Sequence, residues 1–180
     1  MAKFYPSITN RIQKFIEAQK MFFVATAPKD GRINLSPKGM DTFRILNENQ
    51  VAWLSVTGSG NETAAHLLED GRITIMFCAF EGAPNILRLY GTAKEIRPGQ
   101  NEWNDLIALF PELPGVRQIF VVAIQNAQTS CGMSIPFYDY KGERNQLIDW
   151  AKDKGKEGIA DYWEEKNQKS IDGLPTGILD

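Results

Sequence analysis

Residues 72–80 and 86–96 are both long and apolar enough to be strands, and only Glu81-Gly82-Ala83-Pro84-Asn85 separates them. A link of five residues is too short for a helical crossover, so the two runs read as antiparallel neighbours. The same pattern recurs along the chain. Met21-Phe22-Phe23-Val24-Ala25-Thr26 runs into Lys29-Asp30-Gly31-Arg32, whose Asp-Gly pair is a strong tight-hairpin signal, and a second strand begins near Arg32. Alternation from Ile33 to Ser36 puts Asn34 and Ser36 on one face and the aliphatic residues on the other. That strand ends at Pro37-Lys38-Gly39. A short strand over 43–46, the turn Asn47-Glu48-Asn49, a nearly all-apolar run over 50–56 and a Val- and Ile-rich run over 117–128 bring the expectation to six or seven strands.

The helices implied are brief. Ile8, Ile12, Phe15 and Ile16 recur at helical spacing, Asn61 is an apt N-cap for a helix over 61–69, and a further helix is expected around 102–110. The charged segment after Tyr140, which carries Trp150 and Trp163, also reads as helical. Strands on short turns with few helices predict a mainly β antiparallel barrel or sandwich with peripheral helices. Regular βαβ spacing and the GxGxxG and GxxxxGK[ST] strings are missing, which disfavours a Rossmann or P-loop arrangement.

With 180 residues the chain has the size of one domain: a barrel over 1–140 and a helical extension over 141–180 packed on it. Twenty basic and 22 acidic residues, without blocks of one sign, suggest neither nucleic acid nor a membrane surface as partner. Cys78 and Cys131 have no metal-ligand spacing, so no metal is expected, and without an apolar leader the chain is read as cytoplasmic with reduced thiols.

Gly58-Ser59-Gly60-Asn61-Glu62-Thr63 links the end of a strand to the start of a helix. Free N–H groups and the positive end of the helix dipole suit a phosphate there, although such glycines also serve merely to turn a chain. Lys38 is either a solvated turn lysine or a cation reaching an anion near the adjoining strand end. Arg88 interrupts Ile86-Leu87-Arg88-Leu89-Tyr90. Its guanidinium wants Glu62, Asp41 or another carboxylate, or a ligand phosphate or ring carbonyl. Ser130 and Cys131 end a strand in small polar residues that suit a pocket edge. A Cys-His or Ser-His-Asp hydrolase is rejected, because the single histidine, His66, sits mid-helix beside Leu67 and Leu68 and no GxSxG elbow is present.

The order of these segments, from Ser36-Pro37-Lys38-Gly39 through Gly58 and Thr63 to Leu87-Arg88-Leu89-Tyr90-Gly91, resembles the FMN-binding core of the pyridoxamine 5'-phosphate oxidase-like superfamily. The resemblance implies an antiparallel split β-barrel and a homodimer with FMN, or alternatively deazaflavin or no cofactor, at the subunit interface. It implies that Asn34, Ser36, Pro37 and Lys38 run beside the flavin, that Ser55 and Val56 form the next contacting strand, and that Asn61, Glu62 and Thr63 make the phosphate turn. Glu62 departs from the basic residues usual at that turn, with Arg88 expected to compensate. Thr129-Ser130-Cys131-Gly132 resembles a less studied branch of the superfamily. The arginine-containing C-terminal motif of the true oxidases is not evident. The expectation is an FMN-dependent oxidoreductase of unknown small-molecule substrate, with a non-catalytic flavin- or small-ligand-binding homodimer as the alternative.

Overall fold

The computed structural model describes residues 2–180. The strands are β1 (Lys3–Tyr5), β2 (Phe22–Thr26), β3 (Asn34–Lys38), β4 (Phe43–Asn47), β5 (Gln50–Val56), β6 (Arg72–Cys78), β7 (Ile86–Ile96) and β8 (Val116–Ser130). The helices are α1 (Asn10–Ala18), α2 (Glu62–Glu69), α3 (Trp103–Ile107) and α4 (Gln146–Lys166). All eight strands join one sheet in the order β3-β2-β6-β7-β8-β5-β4, with β1 added along β8. Every pairing is antiparallel. β1 is a strand that hydropathy did not mark, because three residues carry no readable period, and α3 is shorter than the helix expected around 102–110.

The sheet bends until its ends face each other. Phe22 on β2 and Phe43 on β4, from opposite ends of the strand order, meet edge-on with ring centroids 5.0 Å apart, and both contact Phe77. The edges β3 and β4 nevertheless stay unpaired with one another, so the barrel is split rather than closed. Its interior is filled by Val24, Trp53, Ile75, Phe77, Leu87, Leu89, Phe120 and Val122, with Ile12 and Ile16 of α1 packed against them. A second cluster, with Leu54, Ile119 and Val121, lies on the other face of β5 and β8 against Phe110. The register of β7 on β8 slips between Tyr90 and Gly91. A Cβ at Gly91 would overlap the Ala123 carbonyl oxygen, so this close approach of two strands requires glycine.

α4 buries Ala151 and Ile159, and its Trp163 Nε1 donates to Thr57 Oγ1 at 2.8 Å. Gly155, at φ 66°, breaks the helix in the middle. None of the described helices is long and apolar enough to cross a membrane.

Candidate anion and cofactor site

A cavity of about 670 Å³ opens between β3, the end of β5, the turn into α2, the start of β8 and the C-terminal segment. β3 reaches it with its polar side. The register sets Asn34, Ser36 and Lys38 opposite Thr26, Val24 and Phe22, whose side chains are buried, so these three share the inward face. Ile33 and Leu35 are left exposed at 77% and 62%. The hydrophobic-in rule is therefore inverted on this strand, because the inner face lines a polar cavity instead of apolar core.

Three cations line this space, and of these Arg32 is already paired with Asp172, which leaves Lys38 and Arg117. Burial, reinforced by the charge of Arg117, lowers the Lys38 ammonium to about 8. Arg117, at the start of β8 and only 6% exposed, is lowered to about 10 by burial, against the opposing pull of Glu95 and Tyr162. Its Nη1 donates to the Gly60 carbonyl and to Asn167 Oδ1, both at 2.8 Å, and its Nη2 approaches Ser55 Oγ at 3.4 Å. Glu95 is itself engaged by Arg97 at 2.7 Å. The buried donors Asn34 Nδ2, Trp53 Nε1, Asn61 Nδ2 and Arg117 Nε have no partner among the described residues, and all four residues line the cavity. Unpaired buried donors beside one buried and one half-buried cation call for a ligand rich in acceptors and negative charge.

The turn differs from its expected role in detail. Asn61 does not cap α2 with its side chain; its Oδ1 accepts from Gln118 Nε2 at 2.6 Å instead. Glu62 is not a free charge at the helix start. Both of its carboxylate oxygens accept from the Ile171 amide at 3.1 Å, and Oε2 lies 4.0 Å from His66 Nε2. Thr63 is buried, and with Ser55, Val56 and Pro37 it lines the cavity.

The chain gathers Asn34, Ser36, Pro37, Lys38, Ser55, Val56, Asn61, Glu62 and Thr63 around one space. It does not bring Arg88, Ser130 or Cys131 there. Arg88 Nη1 donates to Ser130 Oγ at 3.1 Å, a pairing set by the β7–β8 register, and Cys131 is exposed beyond the strand end. In place of Arg88 stands Arg117, which hydropathy read only as the first residue of an apolar strand. The usable signal was Arg117-Gln118, two adjacent polar residues set directly before Ile119-Phe120-Val121-Val122. His66 is fully buried, with Nδ1 3.0 Å from Thr26 Oγ1. Among the described residues no group of three or more His, Cys, Asp or Glu is placed to hold a metal ion.

Comparison with known proteins agrees with this architecture. In solved structures the fold resembles a candidate pyridoxamine 5'-phosphate oxidase from Lactobacillus delbrueckii, with TM-score 0.54 and 14% identity over 68% of this chain and 94% of that one. It also resembles HutZ, the heme storage protein of Vibrio cholerae, with TM-score 0.52 and 18% identity over 70% and 97%. In sequence, the pyridoxamine 5'-phosphate oxidase family protein ustO of Aspergillus flavus is 33% identical over 97% of this chain and 78% of its own length. The family profile described as pyridoxamine 5'-phosphate oxidase matches residues 8–131, more than half of the chain, and the protein therefore belongs to the pyridoxamine 5'-phosphate oxidase family.

Proposed function

We propose that the cavity binds FMN and that the protein is an FMN-dependent oxidoreductase working as a homodimer. The observation that carries this reading is the pairing of Lys38 and Arg117 beside the glycine turn, with every unpaired buried polar atom on the cavity-lining residues a donor. FMN suits such a donor set, since its phosphate is anionic and its ring carbonyls and ribityl hydroxyls accept hydrogen bonds. Lys38, Arg117 and the backbone of 58–61 would hold the phosphate. Asn34, Ser36 and Asn61 would meet the remaining acceptors. The flavin supplies the redox chemistry when bound, and the protein supplies orientation, charge and exclusion of water.

HutZ stores heme, which raises the question of an iron ligand in this chain. Its one histidine, His66, is wholly buried with Nδ1 against Thr26 Oγ1 and does not line the cavity, so a heme held there would need a ligand other than histidine. The homodimer is supported by the outer face of β3, β2, β6 and β7. Ile33 and Leu35 are exposed there, while Phe23, Met76, Arg88 and Tyr90 on the same side are half-buried. An apolar patch on a sheet face suits a second copy of the chain.

The test is the visible spectrum of the purified protein. Yellow protein whose bound flavin is bleached by NADH or NADPH and recolours in air supports the enzyme. A flavin that stays bound and is reduced by neither donor supports a non-catalytic binding module. Colourless protein that ignores added FMN overturns the reading.

A further inference from the structure

Asn167 follows the last turn of α4 and is completely buried. Its side-chain amide spans two parts of the proposed phosphate end. Oδ1 accepts from Arg117 Nη1 at 2.8 Å, and Nδ2 donates to the Gly58 carbonyl at 3.1 Å. The amide orientation is dictated by these partners, because a guanidinium only donates and a carbonyl only accepts. One short side chain thereby fixes the distance between the glycine turn and the guanidinium and leaves Arg117 Nε as the donor without a partner among the described residues.

Asn167 is itself held by the tail. Buried Thr176 donates from Oγ1 to the Asn167 carbonyl at 2.5 Å and from its amide to the Gln168 carbonyl at 2.9 Å. Arg97 grips the carbonyls of Thr176 and Gly177, Asp172 pairs with Arg32, and the Ile171 amide holds Glu62. The segment over 167–177 is thus pinned to Arg32 before β3 and to Glu62 at the start of α2, both of which line the cavity, and to Arg97 just past β7 outside it.

Resting on the FMN reading above, we infer that Asn167 is a positioning residue for the phosphate site, and that the C-terminal segment and the bound phosphate stabilise each other. Two ligands of one guanidinium couple through its placement. Thermodynamic reciprocity then requires that whatever factor the tail adds to phosphate affinity, phosphate adds to the docking of the tail. Glu62 belongs to the same device: its carboxylate is drawn to the tail amide, away from the role of a free charge at the start of α2.

FMN and riboflavin, which differ only in the phosphate, separate this role from a merely structural one. In the full-length chain, Asn167→Ala should weaken FMN about tenfold, the loss expected when a hydrogen bond to a charged group goes, and leave riboflavin affinity within about twofold. Asn167→Asp should weaken FMN further, because a carboxylate against Arg117 competes with the phosphate. In the unmodified protein, FMN but not riboflavin should slow amide exchange over 167–176. FMN and riboflavin affinities that fall together, or an FMN affinity that does not change, would overturn the inference, as would exchange in the tail that ignores FMN. If the unmodified protein binds FMN no better than riboflavin, the placement of the phosphate itself is wrong, which is a distinct failure. The exchange measurement needs no variant and decides the matter even if Asn167→Ala does not fold.

Discussion

Lys38 and Arg117 bring two positive charges to one cavity, and burial together with the Arg117 charge leaves the Lys38 ammonium at about 8, below its ordinary 10.5. Around neutral pH both groups are protonated, so the ligand-free site carries like charges that an anion relieves. FMN affinity should therefore be highest below pH 8 and fall as Lys38 deprotonates above it, while riboflavin affinity stays level. Above pH 8 the phosphate is already doubly ionised and adds no slope of its own. The stability of the ligand-free protein should move the other way. Its folded state binds fewer protons than the unfolded chain between pH 8 and 10.5, so the contribution of Lys38 rises through that window and is absent below it. Flavin fluorescence titrations from pH 6.5 to 9.5 check the first statement, and a flat FMN profile would remove Lys38 from the site.

Lys38→Met should separate function from stability. It deletes a buried charge that lies against another cation, so thermal stability should hold or improve while FMN binding weakens. A melting curve and an FMN titration on the same sample decide this; loss of both would mean that Lys38 is structural.

The two arginines should behave differently. Arg117→Ala should reduce FMN affinity by roughly ten- to a hundredfold, the range for hydrogen bonds to charged groups, and riboflavin affinity by much less. Arg88→Ala should leave the FMN-to-riboflavin ratio unchanged, since its guanidinium pairs with Ser130 away from the cavity. A collapse of that ratio in a folded Arg88 variant would return Arg88 to the phosphate.

Leu35→Asp puts a charge on the exposed apolar face of β3 and should convert the proposed dimer to monomer. Light scattering on the two proteins measures this. An unmodified chain that already runs as a monomer would dispose of the homodimer.

Gly91→Ala should destabilise the fold by about 1–3 kcal/mol, as overpacking of a close-packed site does, because its methyl group meets the Ala123 carbonyl. Denaturant unfolding reports the size, and a change near zero would show that β7 and β8 can part there without cost.

Much of the barrel was legible in the chain because its signals are local. The five residues between β6 and β7 and the period of two over 33–36 each act within a few residues, whereas Asp30-Gly31 marked a connection but not its form: residues 27–33, not a tight two-residue turn, link β2 to β3. Local signals likewise marked Asn34, Ser36 and Lys38 as a polar strand end and 58–63 as a helix start, but only the family resemblance grouped the two sets around one ligand. Local alternation could not tell which face of β3 turns inward, since a period of two names two faces and burial picks one.

Sequence alone therefore determined an antiparallel barrel, a polar strand ending at Lys38 and a glycine turn opening a helix, while their service to one ligand is what the family resemblance implies. Tertiary structure decided which cation completes the site. Arg117 and Arg88 each interrupt an apolar stretch of a strand, and only the long-range register of β8 against β5 and β7 sends the first to the cavity and leaves the second on the outer face. It also decided that Asn167, 109 residues beyond Gly58, reaches back to that turn. A polar residue just past a helix carries no local mark of such a partner, because the contact exists only once the tail has closed on the barrel.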